Sequence, residues 1–167
     1  IDGSLYFWDD DNTGPSGYTP NDYATYTLNG AVPTLGGTNA GGPTPTGNIA
    51  SCQGFFVSCT NAGNITFNNG QRGGSNGQFF RMAASDAQRI WLSMSNDNLE
   101  LFNQTLVTFD EFATDQKDWG VDAIKFRGNH NISIGAQQDG ETYVIATYEA
   151  IPHTGKVIPL MTYVQAA

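Results

Sequence analysis

The amino-acid sequence predicts an all-β fold, an antiparallel β-sandwich of jelly-roll-like form with long Gly/Asn/Thr-rich loops. Short runs of aromatic and β-branched residues recur along the chain, and turn-forming residues separate them. Glycine is abundant, with 20 residues, and aromatic residues make up 12% of the chain. A chain of 167 residues can bury enough surface for one core. Residues 1–167 are therefore predicted to form a single β-sandwich domain.

The first half of the chain combines short strands with long loops. Leu5–Trp8 is predicted as a strand that ends at an acidic, glycine-containing segment. Alternating aromatic and small polar residues predict a second strand at Tyr23–Leu28. Thr34–Gly47 has no periodicity and is predicted as a loop. The other strands predicted in this half are Ile49–Ser58, Ile65–Phe67 and Gln78–Met82.

The second half of the chain has clearer patterns. In Arg89–Ser95, apolar residues at even positions alternate with mostly polar residues at odd positions, which predicts a half-buried strand. The one helix candidate is a single turn around Asp110–Asp118. Hairpin-type turns between successive strands predict antiparallel pairing. The other strands predicted here are Leu99–Phe109, Ile124–Phe126, Ile132–Ile134, Tyr143–Tyr148 and Val157–Val164.

The charge of the chain excludes several classes of partner. Seven Lys and Arg residues stand against sixteen Asp and Glu residues, which gives a net charge of −9. Nucleic acid and anionic membrane surfaces are poor partners for such a chain, because both attract basic proteins. No apolar run approaches the length of a membrane-spanning helix, so direct insertion into a membrane is not expected.

An ordered series of short motifs resembles a β-rich domain of large secreted Bacteroidota proteins, which lies beside the C-terminal sorting domain of type IX secretion cargo. The series spans nearly the whole chain. Its members are GSLYFW at Gly3–Trp8, NDYATY at Asn21–Tyr26, IASCQGFFV at Ile49–Val57, ITFNN at Ile65–Asn69, QFFR at Gln78–Arg81, RIWL at Arg89–Leu92, QTLV at Gln104–Val107 and ATDQKDWGVDAIK at Ala113–Lys125.

The resemblance implies a non-catalytic region of an exported surface protein, located outside the cell. Domains of this kind accompany adhesins, gliding-associated proteins and polysaccharide-degrading enzymes. The chain departs from the pattern at Cys52, where the family more often has a small residue such as Gly, and at Cys59. The usual preceding Gly-Asn-Pro-Tyr-Pro segment and the following sorting domain are absent. Together with strand patterns close to both ends, these absences predict a fragment of a longer protein.

The two cysteines are predicted not to bridge each other. If Cys52 and Cys59 belong to one strand, seven residues separate them by about 23 Å at ~3.3 Å per residue. A disulfide requires Cα atoms about 5.5 Å apart, so a bridge would need a bend at Gly54. Both cysteines are interpreted as small, semi-buried residues.

The sequence contains no recognisable catalytic motif. His130 and His153 lie in loop-like segments without a Ser or Cys nucleophile motif beside them. A pair of carboxylates could serve a glycosidase, but most acidic residues here lie in turns, where Asp is common for backbone reasons. The chain is therefore predicted not to be an enzyme.

Calcium is the metal that the acidic segments favour. Asp9 and Asp11 follow the first strand, and Asp115 and Asp118 lie in a second acidic tract. Such loops offer the hard oxygen ligands that Ca²⁺ accepts. Neither segment fits the EF-hand pattern. The alternative is that both are solvated acidic turns.

Exposed aromatic residues make carbohydrate binding a third possibility. A sugar ring stacks its apolar face on an aromatic ring while polar neighbours bind its hydroxyls. Tyr18, Tyr23 and Trp119 lie near turn residues and are the candidates. Trp91 is out of phase with Ile90, Leu92 and Met94, which places it on the other face of its strand. The aromatic residues assigned to the core are Trp8, Phe55, Phe56, Phe79 and Phe80.

Three functional hypotheses follow from these patterns. The first is a non-catalytic structural or adhesive domain of a secreted bacterial surface protein. The second is a carbohydrate-binding module attached to a polysaccharide-degrading enzyme, with neutral polysaccharide as its ligand because the domain is acidic. The third is a subunit of an extracellular fibre that assembles through exposed strand edges.

Overall fold

The computed structural model describes residues 3–8, 23–34, 44–49, 52–72, 88–96, 101–126, 131–150 and 155–165. Within these residues the secondary structure is almost entirely β, which confirms the predicted fold class, and its one helical element is a 3₁₀ turn at Asn69–Gln71. The strands are β1 (Leu5–Trp8), β2 (Tyr23–Thr27), β3 (Gly30–Val32), β4 (Phe55–Val57), β5 (Gln88–Ser95), β6 (Phe102–Asp110), β7 (Ala123–Ile124), β8 (Ile132–Gln138), β9 (Glu141–Glu149) and β10 (Leu160–Val164).

Four strands form one sheet in the order β3-β2-β1-β4, with antiparallel pairing throughout. Trp8 of β1 lies opposite Tyr23 of β2, and Tyr6 lies opposite Phe56 of β4. Directly opposed residues of an antiparallel pair share a face, as do residues two apart along a strand. These four aromatic residues therefore lie on one face of the sheet.

The remaining strands form a second sheet in the order β10-β8-β9-β6-β5, with the short β7 also pairing with β9. The pairing of β6 with β9 is parallel, with Leu106 opposite Ile145, so this sheet is mixed rather than wholly antiparallel as predicted. Parallel neighbours need a long crossover connection, and the segment that includes β7 and β8 supplies it.

The two sheets pack against each other through an apolar core. One cluster joins both sheets, and a second joins β5, β6, β8 and β9 within the larger sheet. Adjacent residues of β6 belong to different clusters, because successive side chains of a strand point to opposite faces. The first cluster consists of Tyr6, Val32, Leu106, Ala123, Val144 and Ile145. The second consists of Val107, Phe109, Ala136, Tyr143, Ala146 and Tyr148.

Strand β5 lies at one edge of the larger sheet, and Trp91 faces the opposite side from Leu92 as predicted, although burial does not alternate along the whole strand. Arg89 donates a hydrogen bond from Nε to the Asn29 carbonyl at 2.5 Å, and Trp91 Nε1 donates to the Ala31 carbonyl at 3.2 Å. The odd-numbered side chains thus face the four-stranded sheet. Of the even-numbered residues, Leu92 packs against the second cluster, whereas Ile90 is 49% exposed.

Several predicted elements differ in the structure. The helical turn predicted around Asp110–Asp118 is absent, because Asp110 ends β6 and residues 111–118 form only a turn, a bend and irregular backbone. Of the described residues within Ile49–Ser58, only Phe55–Val57 form a strand, and Ile65–Phe67 forms none. A run of three residues does not form a strand on its own unless another strand pairs with it. The strand predicted at Gln78–Met82 lies outside the described residues.

Cys52 and Cys59 are both free thiols and both exposed, so their interpretation as semi-buried residues is wrong. The backbone of Cys52 has φ 67, a left-handed conformation that breaks the extended chain before β4 begins. Cys52 and Cys59 therefore do not belong to one continuous strand.

Candidate functional site

An aromatic cluster lies at the Trp8 end of the four-stranded sheet, and we define it as Tyr6, Trp8, Tyr23, Phe56 and Phe126. The cross-strand register of β1 with β2 and β4 brings the first four rings together on one face. Phe126 comes from the other sheet, two residues after β7. The cluster therefore bridges the two sheets at one end of the sandwich.

The rings of this cluster are packed in a defined order. Phe126 stacks on Tyr6 with ring centroids 4.1 Å apart, and Tyr23 meets Phe126 edge-on at 5.4 Å. Tyr23 also makes edge-on contacts with Trp8 at 4.9 Å and with Phe56 at 5.7 Å. Edge-to-face and offset stacked pairs are the favourable arrangements of aromatic rings. Tyr23 contacts three other rings and is the centre of the cluster.

The cluster extends from the core to the solvent. Tyr6 is 1% exposed and donates a hydrogen bond from its hydroxyl to the Ile124 carbonyl at 3.0 Å. Trp8 is 36% exposed, Phe126 40% and Phe56 54%. The buried end fixes the rings, and the outer end leaves aromatic surface exposed to solvent.

Trp119, the other described aromatic candidate, lies at the opposite end of β2 from Tyr23. The Gly120 carbonyl accepts a hydrogen bond from the Leu28 N–H at 3.0 Å, which holds the Trp119 segment against the turn after β2. Tyr23 and Leu28 are five residues apart along the chain, or about 16 Å at ~3.3 Å per residue. The structure therefore does not bring the two candidates into one platform. Tyr18 lies outside the described residues.

Trp119 carries a second contact of its own. The ammonium of Lys117 lies 4.5 Å from the centroid of its ring, and the ring is 56% exposed. A cation over an aromatic face is attracted by the electron density of that face. One face of Trp119 is thus already occupied by a charged side chain.

The acidic tract at residues 110–122 is organised by hydrogen bonds within the protein. Asp115 forms an ion pair with Lys156. The carboxylate of Asp118 accepts hydrogen bonds from the backbone N–H of Thr114 at 2.5 Å and from its hydroxyl at 3.1 Å. These bonds close the loop, and they engage Asp115 and Asp118, the two carboxylates of this tract that the sequence proposes as calcium ligands.

Asp122 is fully buried and ties this loop to both sheets. Its carboxylate accepts the backbone N–H of Thr147 at 2.6 Å and that of Asp118 at 2.7 Å. Its backbone carbonyl accepts a hydrogen bond from the Ser4 hydroxyl at 2.8 Å. Burial raises the pKa of Asp122 to about 6, although the two backbone hydrogen bonds act in the opposite direction.

Comparison with known proteins assigns the chain to a family. A family model described as "Domain of unknown function (DUF8693)" matches residues 1–167. The chain belongs to the DUF8693 family. No curated protein and no solved structure matches it.

In the part of the DUF8693 domain that the structure describes, no group of three or more His, Cys, Asp or Glu side chains is placed to hold a metal ion. Asp115 and Asp118 thus have no third acidic partner there. Asp9 and Asp11 lie outside the described residues, so calcium binding by that segment stays a prediction. A melting temperature that falls when a chelator is added would support it, because an ion bound only to the folded state stabilises that state.

The sequence predicts Tyr23 as a site residue of the DUF8693 domain but not its neighbours. The prediction that Trp8 and Phe56 belong to the core is wrong, and for Phe126 the sequence predicts only membership of a strand. The alternation of β1 does show that Tyr6 and Trp8 share a face. The partners of that face depend on the register of β2 and β4, which a single sequence does not specify.

Proposed function

We propose that this DUF8693 domain is a non-catalytic adhesive domain that binds neutral polysaccharide through the aromatic cluster. The observation that carries the proposal is the set of three partly exposed rings, Trp8, Phe56 and Phe126, arranged around Tyr23. Aromatic rings at a surface bind the apolar faces of sugars, which alternate with rows of hydroxyl groups.

The packing of the rings favours binding without reorganisation. Tyr23 contacts three neighbouring rings, and the buried ring of Tyr6 stacks on Phe126. Side chains that are already fixed lose little conformational entropy when a ligand binds. A platform of this size still gives weak single-site binding, with dissociation constants in the roughly micromolar to millimolar range. Many copies on one surface would raise the effective affinity.

The charge of the domain selects the class of polysaccharide. At a net charge of −9, a sulfated or uronic-acid polymer would be repelled. Uncharged glycans such as glucans, mannans or chitin carry no such penalty. The setting that we propose is the cell surface or the extracellular medium, in agreement with the resemblance to exported surface proteins and with the Gly- and Thr-rich composition.

The experiment compares a variant of the aromatic cluster with a variant at the opposite end of β2. Purified wild-type protein, the double variant Trp8→Ala/Phe56→Ala and the matched control Trp119→Ala are tested for retention on insoluble neutral polysaccharides. The cluster variant should lose most of its retention, whereas Trp119→Ala should keep it, because Trp119 is an exposed ring at the opposite end of β2 from Tyr23. Circular dichroism and melting curves verify that each variant folds.

Two results would contradict the proposal. If wild-type protein is not retained on any member of a broad neutral glycan panel, the domain does not bind such polymers and a purely structural role remains. If Trp119→Ala loses retention and the cluster variant keeps it, binding occurs at the other end of β2.

A second candidate function is assembly into an extracellular fibre, and strand β10 favours it. Among the described residues β10 pairs only with β8, so its other edge has free backbone donors and acceptors. Leu160, Tyr163 and Val164 of this strand are exposed. Such an edge is a template for strand addition by another chain. Light scattering at rising concentration should then show growing particles, and Thr162→Pro should abolish the growth.

A further inference from the structure

Lys125 is held in a fixed position directly after β7. Its backbone N–H donates a hydrogen bond to the Thr142 carbonyl at 2.8 Å. Its side chain then passes close to β8 at Gly135, where a Cβ atom would lie 3.3 Å from Lys125 Cδ. Because Gly135 has no side chain, it leaves room for the side chain of Lys125 to pass.

The Lys125 side chain ends at the amide of Asn103. Lys125 Nζ lies 2.8 Å from Asn103 Oδ1, and the backbone N–H of Ile134 donates to the same oxygen at 2.9 Å. A backbone N–H can only donate, so the atom that it faces is the carbonyl oxygen of the amide. Both donors polarise this carbonyl, which makes its carbon, Cγ, more electrophilic.

The surroundings of Lys125 favour the neutral amine. In the described part of the chain no carboxylate pairs with its ammonium, whose hydrogen-bond partner is Asn103. Burial lowers the pKa of Lys125 to about 8. A substantial fraction of the side chain is therefore a free amine, the nucleophilic form, at mildly basic pH.

We propose that Lys125 and Asn103 join covalently through an isopeptide bond. The lone pair of Lys125 Nζ attacks Asn103 Cγ, and the charge that develops on Oδ1 is stabilised by the Ile134 N–H. A bond forms between Nζ and Cγ, and the bond between Cγ and Nδ2 breaks. One proton passes from Nζ to Nδ2, which leaves as ammonia. The step consumes no oxidant, reductant or cofactor.

This bond would connect the beginning of β6 to the segment that follows β7. It closes a loop between residues 22 positions apart. A covalent link of this kind shortens the unfolded chain and so favours the folded state. It would also carry a pulling force that hydrogen bonds between strands alone would not withstand.

The test is the intact mass of the denatured wild-type protein, measured after purification and again after incubation at a pH above the pKa of Lys125. The proposal predicts a mass lower than that of the sequence by one ammonia molecule. Peptide mapping should find Asn103 and Lys125 in one cross-linked fragment. The variants Lys125→Met and Asn103→Ala should each show the full mass of their own sequences and a lower melting temperature.

Loss of ammonia has one other source, which the same experiment separates. An Asn-Gly pair such as Asn29-Gly30 or Asn69-Gly70 can cyclise to a succinimide with the same loss of mass. That product would persist in Lys125→Met, would hydrolyse in mild base and would leave Lys125 accessible to amine-specific reagents. A wild-type protein with the full sequence mass and a reactive Lys125 amine after the incubation overturns the proposal, whether or not the variants fold.

Discussion

At the scale of single residues, Asp122 shows how a carboxylate can be buried without an ion pair. Its carboxylate is removed from water and accepts hydrogen bonds from the backbone N–H groups of Thr147 and Asp118 instead. Burial outweighs these hydrogen bonds, so the pKa of Asp122 lies at about 6 instead of 3.8. The folded state therefore binds the proton of Asp122 more tightly than the unfolded state does.

This difference predicts a pH dependence of stability. Between about pH 4 and pH 6 the folded state keeps the proton of Asp122 and the unfolded state loses it, so this residue's contribution to the free energy of unfolding falls as the pH rises. Above pH 6 the contribution stays at its lower value. Urea unfolding of the wild type and of Asp122→Asn across this range should isolate the effect. A constant difference between the two curves would contradict it.

Asp122→Asn should also lower stability near neutral pH. An amide replaces one of the two acceptor oxygens with a donor, so either the Thr147 or the Asp118 N–H loses its partner. A buried unsatisfied group costs about 1–3 kcal/mol. Asp115→Asn, at an exposed ion pair, is the matched control and should change the free energy of unfolding much less.

At the scale of elements, strands can approach each other closely where one of them has a glycine at the point of contact. A Cβ atom at Gly135 of β8 would lie 2.4 Å from Thr142 Cγ2 and 2.9 Å from the Tyr143 carbonyl oxygen. Gly135→Ala should therefore lower the free energy of unfolding by about 1–3 kcal/mol, because the hairpin of β8 and β9 must shift. Gly54→Ala meets no atom within 4 Å and should be nearly neutral. Equal effects of both variants would contradict this interpretation.

The sequence predicted elements best where their pattern was long or sharply bounded. Leu5–Trp8 is a strand with the predicted bounds, and Gln88–Ser95 begins one residue before the prediction. The strand predicted at Ile65–Phe67 is wrong, because no strand among the described residues pairs with this segment and both Ile65 and Phe67 are exposed. Of the residues in the aromatic cluster, the sequence predicts only Tyr23 as a site residue. The exposure of Trp8 and Phe56 depends on how far the neighbouring sheet extends.

At the scale of the whole molecule, the two sheets hold each other through a narrow core. Leu106 is fully buried in the cluster that joins them. Leu106→Ala should cost about 2–5 kcal/mol, because it leaves a cavity between the sheets. Ile90→Ala, at a half-exposed position of β5, should cost less than about 1 kcal/mol. The shift of the denaturant midpoint measures the cost of each variant, provided that the slope of the unfolding free energy against denaturant stays constant. Similar costs for Leu106→Ala and Ile90→Ala would show that the sheets do not share this core.

The parallel pairing of β6 with β9 could not be predicted from local patterns. Each strand has the composition and alternation that an antiparallel neighbour would also accept. The orientation follows from the route of residues 111–140, which carries the chain through β7 and β8 before β9 begins. Antiparallel β8 and β9 are joined by the short turn that the Asp139-Gly140 pair favours.

The hydrogen bonds between the two sheets also set the order in which the chain can fold. Ser4, Tyr6 and Asn29 each bond to a residue 118 positions further along, in Asp122, Ile124 and Thr147. None of these contacts can form before the corresponding C-terminal residue has been synthesised. Folds with such distant pairings reach the native state in roughly milliseconds to seconds rather than microseconds. The contacts that join the two sheets therefore form late, and stopped-flow refolding should show one slow phase shared by fluorescence and circular dichroism.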